Sequence, residues 1–233
     1  MIFMARLPVL GLFLGLSLLA AQSFASTTLG FYGITDTSGM AVADGEASLM
    51  VEIIDIGGNQ VRFTFTNDSD TGSLTDVYFD DGALLGISSI GSSAGVSFSR
   101  DAKPPDLPGG NLADPDFQTT EGFLADSDSP VPQNGVQDSD VTNEWLSIDF
   151  HLKGGKTYDD VLAALLLPEG GEWLRIGLHV QGYSCGGEET CSESFINNVP
   201  VSPVPEAQSH AMILAGIGML ALAARRRQVS ARV

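Results

Sequence analysis

Aspartates cluster at several points of the sequence in arrangements that suit a hard cation. Asp80 and Asp81 are adjacent at the end of a predicted strand, and Asp126 and Asp128 are separated by one serine. Calcium prefers clustered oxygen ligands on flexible loops, so these four residues are the calcium candidates. The sixth position of a loop that starts at Asp126 is not the glycine that an EF-hand needs. We favour acidic turns that solvate the protein, and we predict no metal site.

The histidines and serines give little basis for a catalytic site. His151 and His179 are predicted on the polar faces of strands, and His210 lies near the C-terminus. Asp149 beside the first two histidines leaves a transition-metal site as an alternative, although no further ligand is evident. No G-x-S-x-G motif is present, and no spacing selects a Ser-His-Asp set. We therefore predict that the protein is not an enzyme and needs no cofactor, with a secreted hydrolase as the alternative.

Two aromatic side chains keep carbohydrate binding open. Trp145 and Trp173 each precede a predicted strand, and exposed tryptophans on β-sandwiches can stack on sugar rings. Tryptophans in such positions more often cover the edge of a core than form a binding platform. Carbohydrate binding is therefore the alternative function, together with calcium binding.

The two cysteines predict a small closed loop. Cys185 and Cys191 lie in the Gly-rich segment CGGEETC, a spacing that suits a disulfide in an exported protein. A zinc site needs four ligands, and neither another cysteine nor a histidine cluster completes one.

The N-terminus has the pattern of an export signal. Arg6 precedes the apolar stretch LPVLGLFLGLSLLAA, and small residues at 23 and 25 suit a signal peptidase. A buried helix would need polar residues that break up the apolar face. We predict a signal peptide over residues 1–25, cleaved after Ala25.

The charge of the remaining body excludes one large class of partner. Between Ser26 and Pro205, six basic residues against 28 acidic residues give a formal charge of −22. Such a surface repels nucleic acid and anionic lipid, and it stays soluble by self-repulsion. Nucleic-acid binding is therefore set aside.

Period-two alternation predicts a β-rich body. Residues 49–56 and 61–66 alternate or are β-branched around Gly57-Gly58-Asn59, which predicts a hairpin. The segments WLSIDFHL and WLRIGLHV also alternate, and shorter candidate strands are Leu74–Phe79, Leu84–Ile90, Val96–Ser99 and Glu193–Ile196.

A single stretch of the body is predicted to be helical. In TYDDVLAALLLP, Thr157 is a capping residue and Pro168 stops the helix. The fold class is therefore mainly β: an antiparallel β-sandwich, jelly-roll or Ig-like, with one short helix, spanning residues 26–199. Residues 101–143 are rich in Pro, Asp, Gly and Ser, and they predict a long loop that is either ordered by contacts or partly mobile.

The C-terminus combines a Pro-rich spacer, an apolar segment and a basic end. Residues 200–204 form the spacer, and 211–224 are apolar or small. A helix of that length spans about 21 Å, against roughly 30 Å of hydrocarbon. Three arginines follow at once and would hold this end in the cytoplasm, so we predict a transmembrane helix rather than a core helix.

This tail, residues 205–229, resembles the PEP-CTERM sorting signal of exported Gram-negative bacterial proteins. The resemblance rests on Pro205-Glu206, the segments LAGIG and LALAA, and Arg225-Arg226-Arg227; Ala207 stands where the family has its second proline. It implies recognition and cleavage by a membrane exosortase, in bacteria that make extracellular polysaccharide. The segment RIGLHVQGYSCGGEETCSESFINN also resembles stretches found before such tails.

From these features we predict a non-enzymatic protein of the cell surface or extracellular matrix. Its partners would be the export machinery, an exosortase, the inner membrane at least transiently, and extracellular polysaccharide. The alternative is a calcium- or carbohydrate-binding adhesion module.

Overall fold

The computed structural model describes residues 26–125, 134–166, 173–186 and 189–199. These residues contain eleven strands, which are β1 (Ser26–Leu29), β2 (Phe31–Gly33), β3 (Leu49–Gly57), β4 (Gln60–Asn67), β5 (Ser73–Asp80), β6 (Leu85–Ser92), β7 (Phe98–Arg100), β8 (Glu121–Ala125), β9 (Leu146–Leu152), β10 (Arg175–Ser184) and β11 (Thr190–Asn197). The helices among them are α1 (Gly39–Ser48), α2 (Ser139–Thr142) and α3 (Tyr158–Leu166), with 3-10 turns at Gly110–Leu112 and Lys153–Gly155.

The strands form two sheets, and all their strand pairings are antiparallel. Sheet A has the order β1-β3-β4-β9-β6, and sheet B has the order β2-β11-β10-β5-β8-β7. This arrangement confirms the mainly β, sandwich-like class. The β3–β4 hairpin is also confirmed, because Gly57, Gly58 and Asn59 have φ values of 77°, 62° and 61°, which such a turn requires.

The core lies between the two sheets and is centred on aromatic side chains. The ring of Phe79 in sheet B packs edge-to-face on Phe63 at 5.3 Å and on Phe150 at 4.9 Å, both in sheet A. Phe65 and Phe123 complete this aromatic cluster at 6.3 Å and 5.9 Å from Phe79. The apolar residues of the alternating sequence pattern therefore face this core, and the polar residues face outward.

Helix α3 begins as its sequence predicts. The backbone N–H and Oγ1 of Thr157 donate to the carboxylate of Asp160 at 2.7 Å and 2.9 Å, and the Asp160 N–H returns to Thr157 Oγ1. This reciprocal pair is a capping box. The same bonds hold the pKa of Asp160 below its usual value.

The expectation of a single helix is wrong, because α1 is a ten-residue helix that the pattern did not indicate. Its contact face is made of small residues, Ala41, Gly45 and Ser48, rather than a stripe of large apolar ones. The buried carboxylate of Glu193 on β11 accepts hydrogen bonds at 2.8 Å from the N–H groups of Thr37 and Ser38. The start of α1 is thus capped by a residue 155 positions away in sequence.

The expectation that residues 101–143 contain no strand is also wrong. Strand β8 lies between β5 and β7 in sheet B. The segment before it folds over the outer face of the sheet, where Leu107 and Phe117 pack with Tyr78 and Ile196 as a second small core. This part of the predicted loop is ordered by contacts, and burial there raises the pKa of Tyr78.

Two glycines of α1 allow a matched test of its packing. A Cβ at Gly45 would lie 2.6 Å from the hydroxyl oxygen of Tyr183 and closer still to the Phe195 ring, whereas at Gly39 the nearest atom is 4.0 Å away. We expect Gly45→Ala to lower the free energy of unfolding by about 1–3 kcal/mol, because it overpacks this contact. Gly39→Ala should leave stability unchanged or raised, since alanine is the better helix former. Urea unfolding of both variants measures the difference, and equal values for the two would contradict the packing of α1.

Candidate functional site

The last described strand, β11, ends at a point that hydrogen bonds hold in place. At the end of β11, Asn197 pairs with Phe31 of β2, and its Oδ1 accepts from the N–H of Ile176 at 2.7 Å. One residue on, the N–H of Asn198 donates to the carbonyl of Gly30 at 2.9 Å. The junction that precedes the C-terminal tail is therefore held by hydrogen bonds to both neighbouring strands and to the β1–β2 connection.

The other end of β11 is closed by a disulfide. Cys185 and Cys191 are bonded, with their Cα atoms 5.9 Å apart, across the tip of the β10–β11 hairpin. Both cysteines pack against the main core. The strand from Thr190 to Asn197 rises about 24 Å at 3.4 Å per residue, so the disulfide and the junction at Asn197 lie at opposite ends of one strand.

The calcium candidates Asp80 and Asp81 are both buried and bonded within the protein. The Asp80 carboxylate accepts from Arg175 at 2.5 Å and from the N–H of Gln118 at 3.1 Å. Asp81 accepts from the N–H of Leu85 at 2.7 Å and from the hydroxyl of Thr120. These carboxylates fix the loop that crosses sheet B. Asp126 and Asp128 lie outside the described residues.

Arg175 holds the same loop against sheet B through several contacts. Its guanidinium donates to the carbonyls of Pro115 and Asp116 at 2.6 Å and 2.7 Å, besides its ion pair with Asp80. The indole of Trp173 lies 4.3 Å from the guanidinium carbon, and the ring of Phe117 lies 5.2 Å from it. Trp173 therefore has a structural partner on one face.

His151 and His179 lie on different sheets, so the structure does not bring these two histidines and Asp149 together. His151 is exposed on β9 of sheet A, and His179 lies on β10 of sheet B. Within the described ranges, no group of three His, Cys, Asp or Glu side chains has the arrangement of a metal site.

The structure places one pair together that the sequence did not indicate. The Nδ1 atom of His179 lies 3.0 Å from Oδ2 of Asp76, and Ser194 is directly opposite His179 in the next strand. Asp76 and Ser194 are each 1% exposed, and His179 is 9% exposed. Alternation placed His179 on the outer face, but strand pairing, which brings the other two beside it, cannot be read from one strand.

The outer face of sheet A has a different character. There Arg62 and Asp149 face each other on β4 and β9 and form a bidentate pair, at 2.7 Å and 2.8 Å. The Arg62 hydrogen bond holds the pKa of Asp149 below its usual value. Trp145 is 38% exposed on the same face.

The remaining predicted site residues lie outside the described residues. These are Ala25 at the signal cleavage point, and Pro205, Glu206, Ala207, Arg225, Arg226 and Arg227 in the tail. The predicted transmembrane segment 211–224 lies there too. Among the described helices, none combines the length and the apolar character needed to cross a membrane.

The described residues therefore define a mainly β protein of two antiparallel sheets, whose last described strand runs toward a C-terminal tail. Residues 203–227 of that tail match the family model of the PEP-CTERM protein-sorting motif. The match confirms the resemblance seen in the sequence, and the motif implies an exported protein that an exosortase processes. No curated protein and no solved structure matches the chain.

The disulfide should contribute to the stability of the hairpin. In the chain-entropy treatment, closing a loop of this length lowers the entropy of the unfolded chain and raises the free energy of unfolding by about 2 kcal/mol. We expect replacement of Cys185 and Cys191 together by serine to lower the free energy of unfolding by about this amount in urea titrations under oxidising conditions. The wild type under reducing conditions is the matched control and should give the same loss; no loss in either would contradict the contribution.

The Arg62–Asp149 pair predicts a specific pH dependence. A carboxyl with a lowered folded-state pKa contributes stability above its unfolded pKa of about 3.9, and this stability is lost as pH falls through the folded-state pKa. We expect Asp149→Asn to be less stable than the wild type at pH 7, with the difference shrinking toward pH 2–3. Thermal unfolding across this range measures the difference, with Asp36→Asn at an exposed position as control. A difference that stays constant with pH would contradict the ion pair.

Proposed function

We propose that the chain is an exported, non-enzymatic protein of the cell surface or extracellular matrix, delivered by processing of its C-terminal tail. The observation that carries this proposal is the PEP-CTERM protein-sorting motif at residues 203–227. In this proposal residues 1–25 direct export, and 211–224 hold the chain in the inner membrane until the exosortase acts. The arginines at 225–227 keep the end of the tail in the cytoplasm.

The shape of the junction supports this order of events. Asn197 and Asn198 are tied to β2 and to the β1–β2 connection, so the end of the described body is fixed where the proposed processing segment follows in sequence. The Pro-rich segment 200–204 would hold the folded body away from the bilayer in an extended form. The formal charge of −22 on the body also favours its separation from the bilayer, because anionic headgroups repel it.

The non-enzymatic part of the proposal rests on burial. In the Asp76–His179–Ser194 row, the serine that would act as nucleophile is 1% exposed, and its N–H donates to Thr35 Oγ1 at 2.8 Å. A hydrolase needs its nucleophile open to the scissile carbonyl and donors free for the developing oxyanion. The row is better explained as a polar contact that stabilises the pairing of three strands.

A carbohydrate-binding adhesion role is the second candidate, and the exposed Trp145 favours it. The calcium-binding form of that role has less support, since Asp80 and Asp81 already have partners within the protein. Both forms are compatible with delivery by the sorting tail.

Processing is tested by the mass of the mature protein in a bacterium that has an exosortase. We expect the wild type to lose its signal peptide and its tail, with the C-terminal cut near Pro205. Glu206→Ala should retain the tail, because it removes the acidic residue of the motif. Ala207→Pro, which restores the second proline of the family pattern, is the matched control and should be processed at least as well as the wild type.

The result that would overturn the proposal is a mature wild-type protein that still carries residues 208–233. The same outcome in a strain that lacks the exosortase is expected, and it shows that the enzyme rather than a general protease makes the cut.

A further inference from the structure

One long segment of the otherwise acidic body contains no charged residue. Residues 82–99 contain no charged residue, the longest such run between Ser26 and Pro205. This run includes β6, which is at the edge of sheet A among the described strands, and the connection to β7. The eight residues of β6 carry no charge themselves, in a body with a formal charge of −22, and charged neighbours reach the run at Gly86 and Gly95 from Lys153 and Glu144.

Trp145 lies beside this uncharged run and is held there. Its N–H donates to Ser93 Oγ at 3.0 Å, and its carbonyl accepts from the N–H of Ser93 at 3.0 Å. The backbone of Trp145 is therefore clamped to the connection after β6, although its side chain is 38% exposed. With the backbone fixed, only the two side-chain torsions of the indole remain to be ordered when a ligand stacks on it.

The residues beside the Trp145 indole have small side chains, which leave the surface next to the ring open. A Cβ at Gly91 would lie 3.8 Å from Cζ3 of Trp145 and 2.8 Å from Oγ of Ser147, so glycine leaves room between them. Ser147 is opposite Thr64 on the neighbouring strand. Ser147 is buried, and its hydroxyl donates to the carbonyl of Gly91 at 3.4 Å, so no large side chain rises next to the ring.

The Arg62–Asp149 pair lies one pleat further along the same face. Asp149 also accepts from Ser89 Oγ at 3.0 Å, and the Arg62 side chain is 41% exposed. Two of the five guanidinium donors are used by Asp149, which leaves donors that point away from that carboxylate. The pair neutralises its own charge while fixing the guanidinium in place.

We propose that this surface, the Trp145 face, binds a neutral glycan chain. The face is formed by Trp145, Gly91, Ser147, Thr64, Ser89 and the Arg62–Asp149 pair. The indole supplies the apolar platform for the C–H face of a sugar ring, and the remaining guanidinium donors of Arg62 supply hydrogen bonds to its hydroxyls. This inference deepens the carbohydrate-binding alternative given under Proposed function, and it names the site and the ligand class.

The charge of the body favours a neutral glycan over the other occupants of this surface. An anionic polysaccharide and a second copy of the chain are both repelled by a formal charge of −22. Pairing of a second copy through the β6 edge would also leave Trp145 uncovered, since the indole is on the face of the sheet and not in the plane of its backbone.

The chain contains two tryptophans, which allows a direct measurement. The full chain in mild detergent is titrated with cellohexaose, maltohexaose and mannohexaose, with alginate as the anionic probe. Trp173→Phe leaves Trp145 as the sole tryptophan, and we expect its fluorescence to shift on binding of at least one neutral hexaose. In Trp145→Phe, the remaining Trp173 should not respond to any of them.

Calorimetry with Trp145→Ala tests whether the ring carries the binding. We expect about a tenfold loss of affinity, which is the scale of one aromatic contact, with unchanged far-UV circular dichroism because Trp145 is exposed at the surface. Leu112→Ala, an exposed apolar position outside sheet A, is the matched control and should bind as the wild type does.

Three outcomes would overturn the inference: no heat and no Trp145 response with any neutral hexaose, binding that survives Trp145→Ala, or binding of alginate alone. Self-association through this face in sedimentation, abolished by Trp145→Ala, would also overturn it in favour of a second copy. None of these outcomes alters the mass of the processed tail, so failure here is distinguishable from failure of the sorting proposal.

Discussion

The contact between the Phe79 ring and the rings of sheet A is the constraint on which the remaining structure depends. Its edge-to-face packing on Phe63 and Phe150 fixes the inner face of each sheet, and a strand has two faces. Once these rings are inside, the residues that alternate with them in the same strands must lie outside. The outer positions of Arg62, Asp149 and the hydroxyls near Trp145 therefore follow from where the phenylalanines pack.

Alternation made the strands and the faces of this core predictable, and its limits explain the rest. Helix α1 was missed because its contact surface is made of Ala41, Gly45 and Ser48, which form no apolar stripe at helical spacing. Its cap comes from Glu193, a residue distant in sequence that no local motif could indicate. The Pro- and Asp-rich residues around β8 do not predict a strand. Its place in sheet B comes from pairing with β5 on one side and β7 on the other, which a single segment of sequence does not show.

The predicted sites also fall into two kinds. Some depend on residues that are neighbours in sequence, and others on residues that the fold brings together. The sorting tail is a continuous motif, so its residues could be named from the sequence and the family match agrees with them. Asp80 had the chemistry of a calcium ligand in sequence, but Arg175 lies across from it on β10 and uses that carboxylate. The Trp145 face is assembled from three strands and a connection, and the sequence supplied the tryptophan without its neighbours.

The placement of the junction and the disulfide at opposite ends of β11 has a mechanical consequence. A pull on the chain at Asn197 is directed along the strand, and the ladder bonds to β2 and β10 lie across that direction. Such a load shears the bonds together instead of opening them one after another, and the covalent bridge stops the far end from peeling. A load applied at the junction would therefore be shared along the whole of the last described strand.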